Sequence, residues 1–340
     1  MRLLKLVPDN TNIDFMRWRN WALMISILVT AAAIALVFTR GLNFGVDFVG
    51  GQSLRVSFTQ PPPIEQLRER VDALGIGEAS IQESRQNVVQ RAAAGNKAGG
   101  NETEYLIRIA LPPGDQGAAA AATQGVRTMI GTAYPGNATI RSVDTVSGKV
   151  SEELLNSGAW AIALAMLGIA IYIWIRFEWQ FGVGALLTLF HDVWMTLGFF
   201  SLTQLEFNLN VVAAILTIVG YSLNDTVVIY DRIRENLRKY RKMEIVPLLN
   251  LSLNETLSRT MVTSISILLA LGTLLLLGPD VIFGLTVAIF VGIFVGTYSS
   301  IYISSPVLVW LRVTTASFLP RDPVSRAARG PRNEKDGAQV

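Results

Sequence analysis

The stretch 209–236, LNVVAAILTIVGYSLNDTVVIYDRIREN, determines which class of fold this chain adopts. Its first part, 209–230, is an apolar run with a single charged residue, Asp225, and the run ends at Asp231. A helix of about 20 mostly apolar residues crosses roughly 30 Å of hydrocarbon. We therefore predict a membrane-spanning helix over 209–230 with one ionisable group inside it.

The whole chain is too apolar for a water-soluble protein of 340 residues. Hydrophobic residues make up 51% and charged residues 16%, against roughly 25% charged in a typical globular domain, and the mean hydropathy is +0.40. Six stretches have the length of spans: 21–39, 154–175, 181–202, 209–230, 260–277 and 281–311. The last is too long to cross straight, so we expect it to tilt or to bend near Pro306.

Lysine and arginine near the ends of the spans set the predicted orientation, because positive charge is retained on the cytoplasmic side. Basic residues are concentrated in 1–20, 231–259 and 312–340. The short turns 203–208 and 278–280 contain none. We therefore predict that both termini are cytoplasmic and that 40–153 lies outside.

The counts of particular residue types exclude several chemistries. The chain has no cysteine and its one histidine is His191, which excludes disulfides, thiolate metal sites, cysteine nucleophiles and histidine-rich metal clusters. The pI of about 9.2 would suit a nucleic-acid partner, but the basic residues flank the spans or are mixed with acidic ones. We therefore expect membrane lipid around the protein and no nucleic acid, metal or cofactor.

Residues 40–153 contain no spanning run and predict a separate domain. Its predicted elements are strand 53–58, helix 64–74, strands 79–89 and 104–111, helix 116–134 and strand 138–146, with an Ala, Gly and Asn-rich loop at 91–101. The order β-α-β-β-α-β is that of a ferredoxin-like α+β domain, with two helices on one face of an antiparallel sheet. Nothing in it indicates catalysis, so we predict a binding or lever role for this external, periplasmic domain.

Ionisable groups inside the spans are functional candidates, because lipid makes them costly. Asp225 lies six residues before Asp231, about 9 Å inside the predicted boundary, and Arg259 at the start of the fifth span could reach it. Apolar neighbours favour a neutral carboxyl group and a nearby arginine favours a charged one. A movement of one helix could therefore make Asp225 take up or release a proton. A proton relay and a static pair that fixes helix register are equally compatible with these residue types.

Other polar residues of the spans are weaker candidates. His191 and Asp192 in the third span are compatible with a relay, with hydrogen bonding between helices, or with the lining of a hydrated crevice. For Ser222 and Asn224 in the fourth span, hydrogen bonding between helices is the favoured interpretation. The spacing Gly292-x-x-x-Gly296 in the last span allows close helix approach.

A further helix is predicted between the fourth and fifth spans. The segment 245–253 is mostly apolar, and Pro247 lies near its start. Such a segment next to a span is typical of a helix that lies in the membrane interface. We therefore predict an interfacial helix on the cytoplasmic side.

Four motifs resemble those of one family of bacterial membrane proteins. They are GVDFVGG at 45–51, His191-Asp192-Val193, GYSLNDTVVIYDRIREN at 220–236 and NETLSRT at 254–260. The motifs, and the order of one span, an external domain and five spans, resemble the SecD/SecF protein-export family over nearly the whole chain. The motif of the fourth span is long enough to be highly specific.

The resemblance implies a complex with SecD, of the architecture of the RND superfamily, in the bacterial inner (cytoplasmic) membrane. It implies that this complex uses the proton-motive force to assist the SecYEG channel and acts on unfolded preprotein on the periplasmic side, with YajC as a further partner.

In the family, the positions that match Asp225 and Arg259 belong to the proton pathway, which favours the relay. The residues expected to couple the first span to the external domain are Gly45, Asp47, Phe48, Gly50 and Gly51. For Asp47 a plain tight turn is an equally good interpretation.

Two other classes of protein are alternatives to this interpretation. An RND-type proton-coupled exporter of small molecules or lipids would ordinarily hold both repeats in one chain, and this chain has half the spans. An intramembrane protease could pair Asp192 with Asp225, or His191 with Ser222, but no Gly-x-Gly-Asp or Gly-x-Ser-x-Gly pattern surrounds them. The chain also lacks a phosphate-binding loop of the Walker type. We therefore predict that it is not an enzyme.

Overall fold

A computed structural model describes residues 11–76, 79–83, 103–109, 116–146, 148–278 and 282–313. In this part of the chain, six helices are long and apolar enough to cross a membrane, which confirms the predicted number of spans. They are Phe15–Arg40, Val150–Arg176, Trp179–Thr203, Leu209–Lys239, Ile245–Leu277 and Phe283–Trp310. The predicted loop 91–101, residues 1–10 and residues 314–340 lie outside the described residues.

The elements follow one another in an order that places a small domain between the first two spans. Helix α1 is Arg19–Arg40, after a 3-10 turn at Phe15–Trp18, and α2 is a short helix at Val46–Val49. The α+β domain contains β1 (Gly51–Phe58), α3 (Ile64–Asp72), β2 (Ala79–Glu83), β3 (Thr103–Ile109), α4 (Gln116–Ala133) and β4 (Ala138–Val146). The later helices are α5 (Gly148–Arg176), α6 (Trp179–Thr203), α7 (Leu209–Lys239), α8 (Ile245–Leu277), α9 (Phe283–Tyr302) and α10 (Ser304–Trp310).

The α+β domain has the predicted ferredoxin-like topology. Its four strands lie in the order β2-β3-β1-β4, and every neighbouring pair is antiparallel. Leu54 of β1 lies opposite Ile107 of β3, and both side chains are fully buried in one core with Leu67 of α3 and Val126 of α4. The two helices therefore cover one face of the sheet. The predicted continuation of β2 to residue 89 lies outside the described residues.

The fourth and fifth long helices differ in length from the prediction. Helix α7 continues to Lys239, and α8 begins at Ile245, so the predicted interfacial helix and the fifth span form one continuous helix. Leu237 of α7 belongs to the same buried cluster as Leu248 and Leu249 of α8. Leu248 and Leu249, which suggested contact with the membrane interface, are covered by protein instead.

The last long helix bends where the sequence predicts a bend. Helix α9 ends at Tyr302 and α10 begins at Ser304, with Ile303 between them at φ −116°. Pro306 explains the position of the break, because proline lacks an N–H and its ring clashes with the carbonyl group four residues earlier, that of Tyr302.

Helices α7 and α9 approach closely because α9 carries a glycine at the contact. A Cβ at Gly292 would collide with three side-chain atoms of Ile218, which is 1% exposed. One turn further along α9, a Cβ at Gly296 would lie 3.3 Å from that of Ser222. The Gly292-x-x-x-Gly296 spacing therefore does allow the close approach that the sequence predicts.

Gly292→Ala should destabilise the helix bundle by about 1 to 3 kcal/mol, the usual cost of overpacking a filled contact. The measurement is the midpoint of thermal unfolding of the detergent-purified protein. The matched control is Gly220→Ala on α7, where an added Cβ meets nothing within 4 Å. Equal midpoints for the two variants would contradict the assigned contact.

Candidate functional site

A buried polar cluster joins three of the long helices. Asp192 of α6 is completely buried, and its Oδ2 accepts hydrogen bonds from Ser222 Oγ of α7 at 2.5 Å and from Ser299 Oγ of α9 at 2.9 Å. The other carboxylate oxygen, Oδ1, lies 2.9 Å from His191 Nδ1. Because the bilayer core offers no water to replace these partners, the cluster holds the three helices together.

The cluster continues toward the first long helix through aromatic and hydroxyl groups. The His191 ring lies 6.5 Å from that of Tyr298, measured between centroids. The Tyr298 hydroxyl lies 3.1 Å from Ser26 Oγ of α1 and donates to the carbonyl oxygen of Ala22. Polar side chains from α1, α6, α7 and α9 therefore lie near one another.

Asp225 occupies a different environment on the same helix as Ser222. The residue is 4% exposed, and its Oδ2 is buried without a hydrogen-bond partner among the described residues. Ser222 and Asp225 are three positions apart, so they lie on the same side of α7, about one turn from each other. The Asp192 cluster and Asp225 are thus neighbouring sites along α7.

The predicted partner Arg259 lies level with Asp225 but does not contact it. Tyr221 of α7 meets Ser264 of α8 at 3.4 Å between hydroxyl oxygens. Helices α7 and α8 are antiparallel. One turn from this contact, toward the end of α7 and the start of α8, Asp225 is therefore level with Thr260, which follows Arg259 in the sequence. Arg259 is exposed, whereas Asp225 is buried. A static Asp225–Arg259 ion pair is therefore not present in the described part of the chain.

Two more polar atoms near Asp225 are buried without a partner. They are the Oγ1 atoms of Thr226 on α7 and Thr260 on α8. Unpaired buried hydroxyl groups are costly. The α7–α8 contact at the level of Asp225 therefore has unused hydrogen-bonding capacity.

The structure brings together some predicted site residues and separates others. His191, Asp192 and Ser222 meet in one cluster, as hydrogen bonding between helices requires. Asn224 is exposed on the outer side of α7. The cluster formed by the weaker candidates is thus the better connected site, and Asp225 is the more isolated one.

The segment 45–51 contacts the turn between α6 and α7. The N–H of Gly45 donates to the carbonyl oxygen of Phe207 at 2.8 Å, and the N–H of Phe207 donates to that of Asn43 at 2.8 Å. Gly50 and Gly51 have φ of 78° and 108°, values that side chains with a Cβ rarely adopt. The two glycines therefore permit the change of direction into β1.

Asp47 and Phe48 also face this turn. Asp47 Oδ2 accepts a hydrogen bond from the N–H of Leu209, the first residue of α7, at 2.9 Å. A carboxylate at this position satisfies a free N–H group and complements the positive end of the helix dipole. The Phe48 ring packs against those of Phe44, edge to face, and Phe207, with ring centroids 5.9 Å apart in each pair. The segment is thus attached to the start of α7 as well as to α1.

Sequence reasoning missed Ser299, Tyr298, Arg108 and Glu206. Ser299 lies in the run Thr297-Tyr298-Ser299-Ser300, four hydroxyl residues in succession inside an apolar span. That run is a usable signal, because isolated hydroxyl groups are more common in spans than runs of them. Arg108 on β3 and Glu206 in the turn after α6 form an ion pair at 3.3 Å, and nothing in the sequence pairs them.

Among the described residues, no group of three or more His, Asp or Glu side chains is placed to hold a metal ion. The polar clusters of the long helices consist of carboxylates, hydroxyls and one imidazole, which are groups that exchange protons and hydrogen bonds.

The fold and the buried carboxylates define a multi-pass membrane protein with an α+β domain between its first and second spans. Residues 126–314 match the family described as protein export membrane protein SecD/SecF, C-terminal, and residues 35–62 match the SecD/SecF GG motif. The chain belongs to the SecD/SecF family of protein-export membrane proteins, which confirms the resemblance found in the sequence.

Relatives of this chain include SecF subunits of the protein translocase. The protein translocase subunit SecF of Rickettsia rickettsii (strain Sheila Smith) is 42% identical over 306 residues, which cover 90% of this chain and 94% of the relative. That of Rickettsia typhi (strain ATCC VR-144 / Wilmington) is 42% identical over 305 residues, with coverage of 90% and 94%.

Solved structures of SecDF share the fold. A crystal structure of SecDF from Thermus thermophilus, a translocon-associated membrane protein, superposes with a TM-score of 0.76 and 35% identity over 89% of this chain. A SecDF structure in the super-membrane-facing form gives a TM-score of 0.64 and 32% identity over 97% of this chain. This chain spans only 39% and 42% of those SecDF chains.

Proposed function

We propose that this SecF-type subunit pairs with SecD and uses the proton-motive force to assist SecYEG-dependent translocation of preproteins across the bacterial inner membrane. Asp225 carries the proton in this proposal. Asp192 and His191 are candidates for a further step of the path. Unfolded preprotein is the substrate on the periplasmic side, and YajC is a further partner.

The observation that carries the proposal is the Asp225 carboxylate. It is buried within the apolar part of α7, and one of its oxygens has no partner among the described residues. An ionisable group is expensive in such a place unless it is neutralised or paired. Uptake of a proton neutralises it, so the site supports reversible protonation better than a permanent ion pair.

The exposed polar residues beside Asp225 support a partner within the membrane. Arg259 and Asn224 lie on the outside of this chain at the level of Asp225. Polar groups that face lipid are costly, which favours a second protein over them. The solved SecDF chains are more than twice as long as this one, and SecD is the occupant that fits this difference.

The proposed orientation follows from the basic residues. Arg176, Arg234 and Arg238 lie at the end of the bundle opposite the α+β domain, and positive charge is retained in the cytoplasm. The α+β domain is then periplasmic and both termini are cytoplasmic. In this orientation the domain is placed to bind or release a preprotein as it leaves the channel.

The driving force is sufficient for movement of a domain. One elementary charge that crosses a potential of 100 mV supplies about 2.3 kcal/mol. A few protons per cycle therefore supply more than the ordinary free-energy difference between two conformations of a protein. An exporter of small molecules or lipids is the other candidate, and the matches to protein translocase subunits do not favour it.

The test is preprotein translocation into membrane vesicles that contain SecYEG and SecD, with this chain present or absent. We expect this chain to increase translocation only while a proton gradient is maintained, and we expect SecD to copurify with it. Equal stimulation after the gradient is collapsed by an ionophore would contradict the use of the proton-motive force. Stimulation without SecD would contradict the proposed pairing.

A further inference from the structure

An ion pair connects the turn between α6 and α7 to the α+β domain. The function proposed above gives this ion pair no role. Arg108 of β3 places Nη2 3.3 Å from Glu206 Oε2, an ion pair by distance in which Nη2 does not have the geometry of a hydrogen bond. Its Nη1 donates to Asn43 Oδ1 at 2.8 Å and to the carbonyl oxygen of Phe44 at 3.2 Å. One guanidinium therefore bridges the domain, the segment after α1 and the turn before α7.

The Arg108–Glu206 pair is well shielded from water. The two side chains are 14% and 20% exposed, so their charges are screened less than those of a surface pair. Removal of one partner from such a site leaves the other charge poorly solvated. The pair therefore contributes more to the position of the domain than an ordinary surface salt bridge.

Gly45 makes room for the Glu206 carboxylate. A Cβ at Gly45 would lie 2.6 Å from Glu206 Oε1 and 3.3 Å from the Cβ of Asn208. The φ of Gly45 is −73°, which any residue can adopt, so the requirement at this position is for space. The glycine thus serves the contact with the turn as well as the course of the backbone.

Both ends of this connection are stiff. Strand β3 lies between β1 and β2 in the sheet, so Arg108 projects from an interior strand that is hydrogen-bonded on both sides. Glu206 comes three residues before Leu209, where α7 begins and where Asp47 accepts the first N–H group. A displacement of the start of α7 therefore moves the turn, and the turn moves the strand.

We propose that Arg108 and Glu206 are positioning residues that form a rigid joint, through which a displacement of α7 reaches the α+β domain. The inference rests on the proposed function, because it takes α7 as the helix that carries the proton-binding residue. The joint stays closed while α7 moves, and the domain moves with the start of α7.

The first experiment measures the joint without reference to export. Two spin labels are attached to cysteines introduced at exposed positions, Arg127→Cys on α4 and Thr217→Cys on α7. The chain has no native cysteine, so no other position is labelled. The full-length protein is measured in lipid nanodiscs. We expect Glu206→Gln to increase the width of the distribution of distances between the two labels by about twofold or more. The matched control is Glu65→Gln, which breaks an exposed ion pair with Arg68 on the same domain and should leave the distribution unchanged. An unchanged distribution in Glu206→Gln would overturn the joint.

The second experiment separates positioning from folding by exchanging the charges. Arg108→Glu and Glu206→Arg should each reduce proton-dependent stimulation of translocation by about fivefold or more at normal membrane levels. The double exchange should recover about half of the parent level or more, because the pair is restored in reverse. Absence of any recovery, with the double variant present at the normal level, would overturn the joint.

The two experiments also separate this inference from the proposed function. If translocation does not depend on the proton gradient in the parent protein, the proposed function fails, whereas the spin-label result still decides whether the joint is rigid. If translocation depends on the gradient but the single exchanges stimulate normally, the proposed function stands and the joint is overturned.

Discussion

Asp225→Asn is expected to abolish the proton-dependent stimulation of translocation while the protein remains at its normal level in the membrane. The substitution keeps the size and shape of the side chain and removes its ability to release a proton. Because Asp225 Oδ2 has no hydrogen-bond partner among the described residues, the change breaks no contact of that atom. The loss should therefore appear in function and not in assembly.

The matched control for this experiment is Asp231→Asn on the same helix. Asp231 is 64% exposed in its side chain and pairs with Arg176 at 3.5 Å, a surface ion pair of the kind that contributes little. We expect stimulation by Asp231→Asn within about twofold of the parent level. Normal stimulation by Asp225→Asn, measured with and without an ionophore, would remove Asp225 from the proton path.

The exposure of Arg259 determines the stability that we expect for Asp225→Asn. In a static pair, neutralising the aspartate would leave a buried arginine unpaired and would destabilise the protein. Arg259 is exposed in this chain, so no such penalty is expected. A large loss of stability in Asp225→Asn would indicate that the two residues do pair when SecD is present.

The architecture could be predicted from the sequence because its signals are local. The six spans follow from the lengths of apolar runs, and the ferredoxin-like order follows from strand and helix patterns within about 110 residues of chain. The bend in the last span follows from Pro306 alone, through the hydrogen bond that proline cannot make. Each of these features depends on neighbours in the chain.

The connections of the site could not be predicted because they depend on which helices touch and on their rotation. Ser299 is 107 positions from Asp192, and Ser222 is 30 positions away. Apolar residues at 245–253 fit a membrane interface and a helix contact equally well by composition, and the structure shows the helix contact for Leu248 and Leu249. Only the packing of the bundle distinguishes these cases.

Asp192→Ala is expected to destabilise the bundle by about 2 to 4 kcal/mol, because it leaves several buried partners unpaired. Asp192 is completely buried and accepts hydrogen bonds from hydroxyl groups of two other helices, Ser222 and Ser299, with His191 beside it. The truncation also leaves a small cavity between three helices, which adds to the cost. The measurement is the unfolding free energy of the detergent-purified protein in a denaturant titration.

Asp192→Asn distinguishes the structural role of this residue from a role in proton transfer. An amide oxygen in the place of Oδ2 accepts the same two hydroxyl bonds, so we expect it to keep most of the stability that Asp192→Ala loses, to within about 1 kcal/mol of the parent. If Asp192 only holds the helices together, Asp192→Asn should stimulate translocation normally. Normal stability combined with lost stimulation would instead place Asp192 in the proton path with Asp225, since an amide keeps the hydrogen bonds and cannot carry the proton.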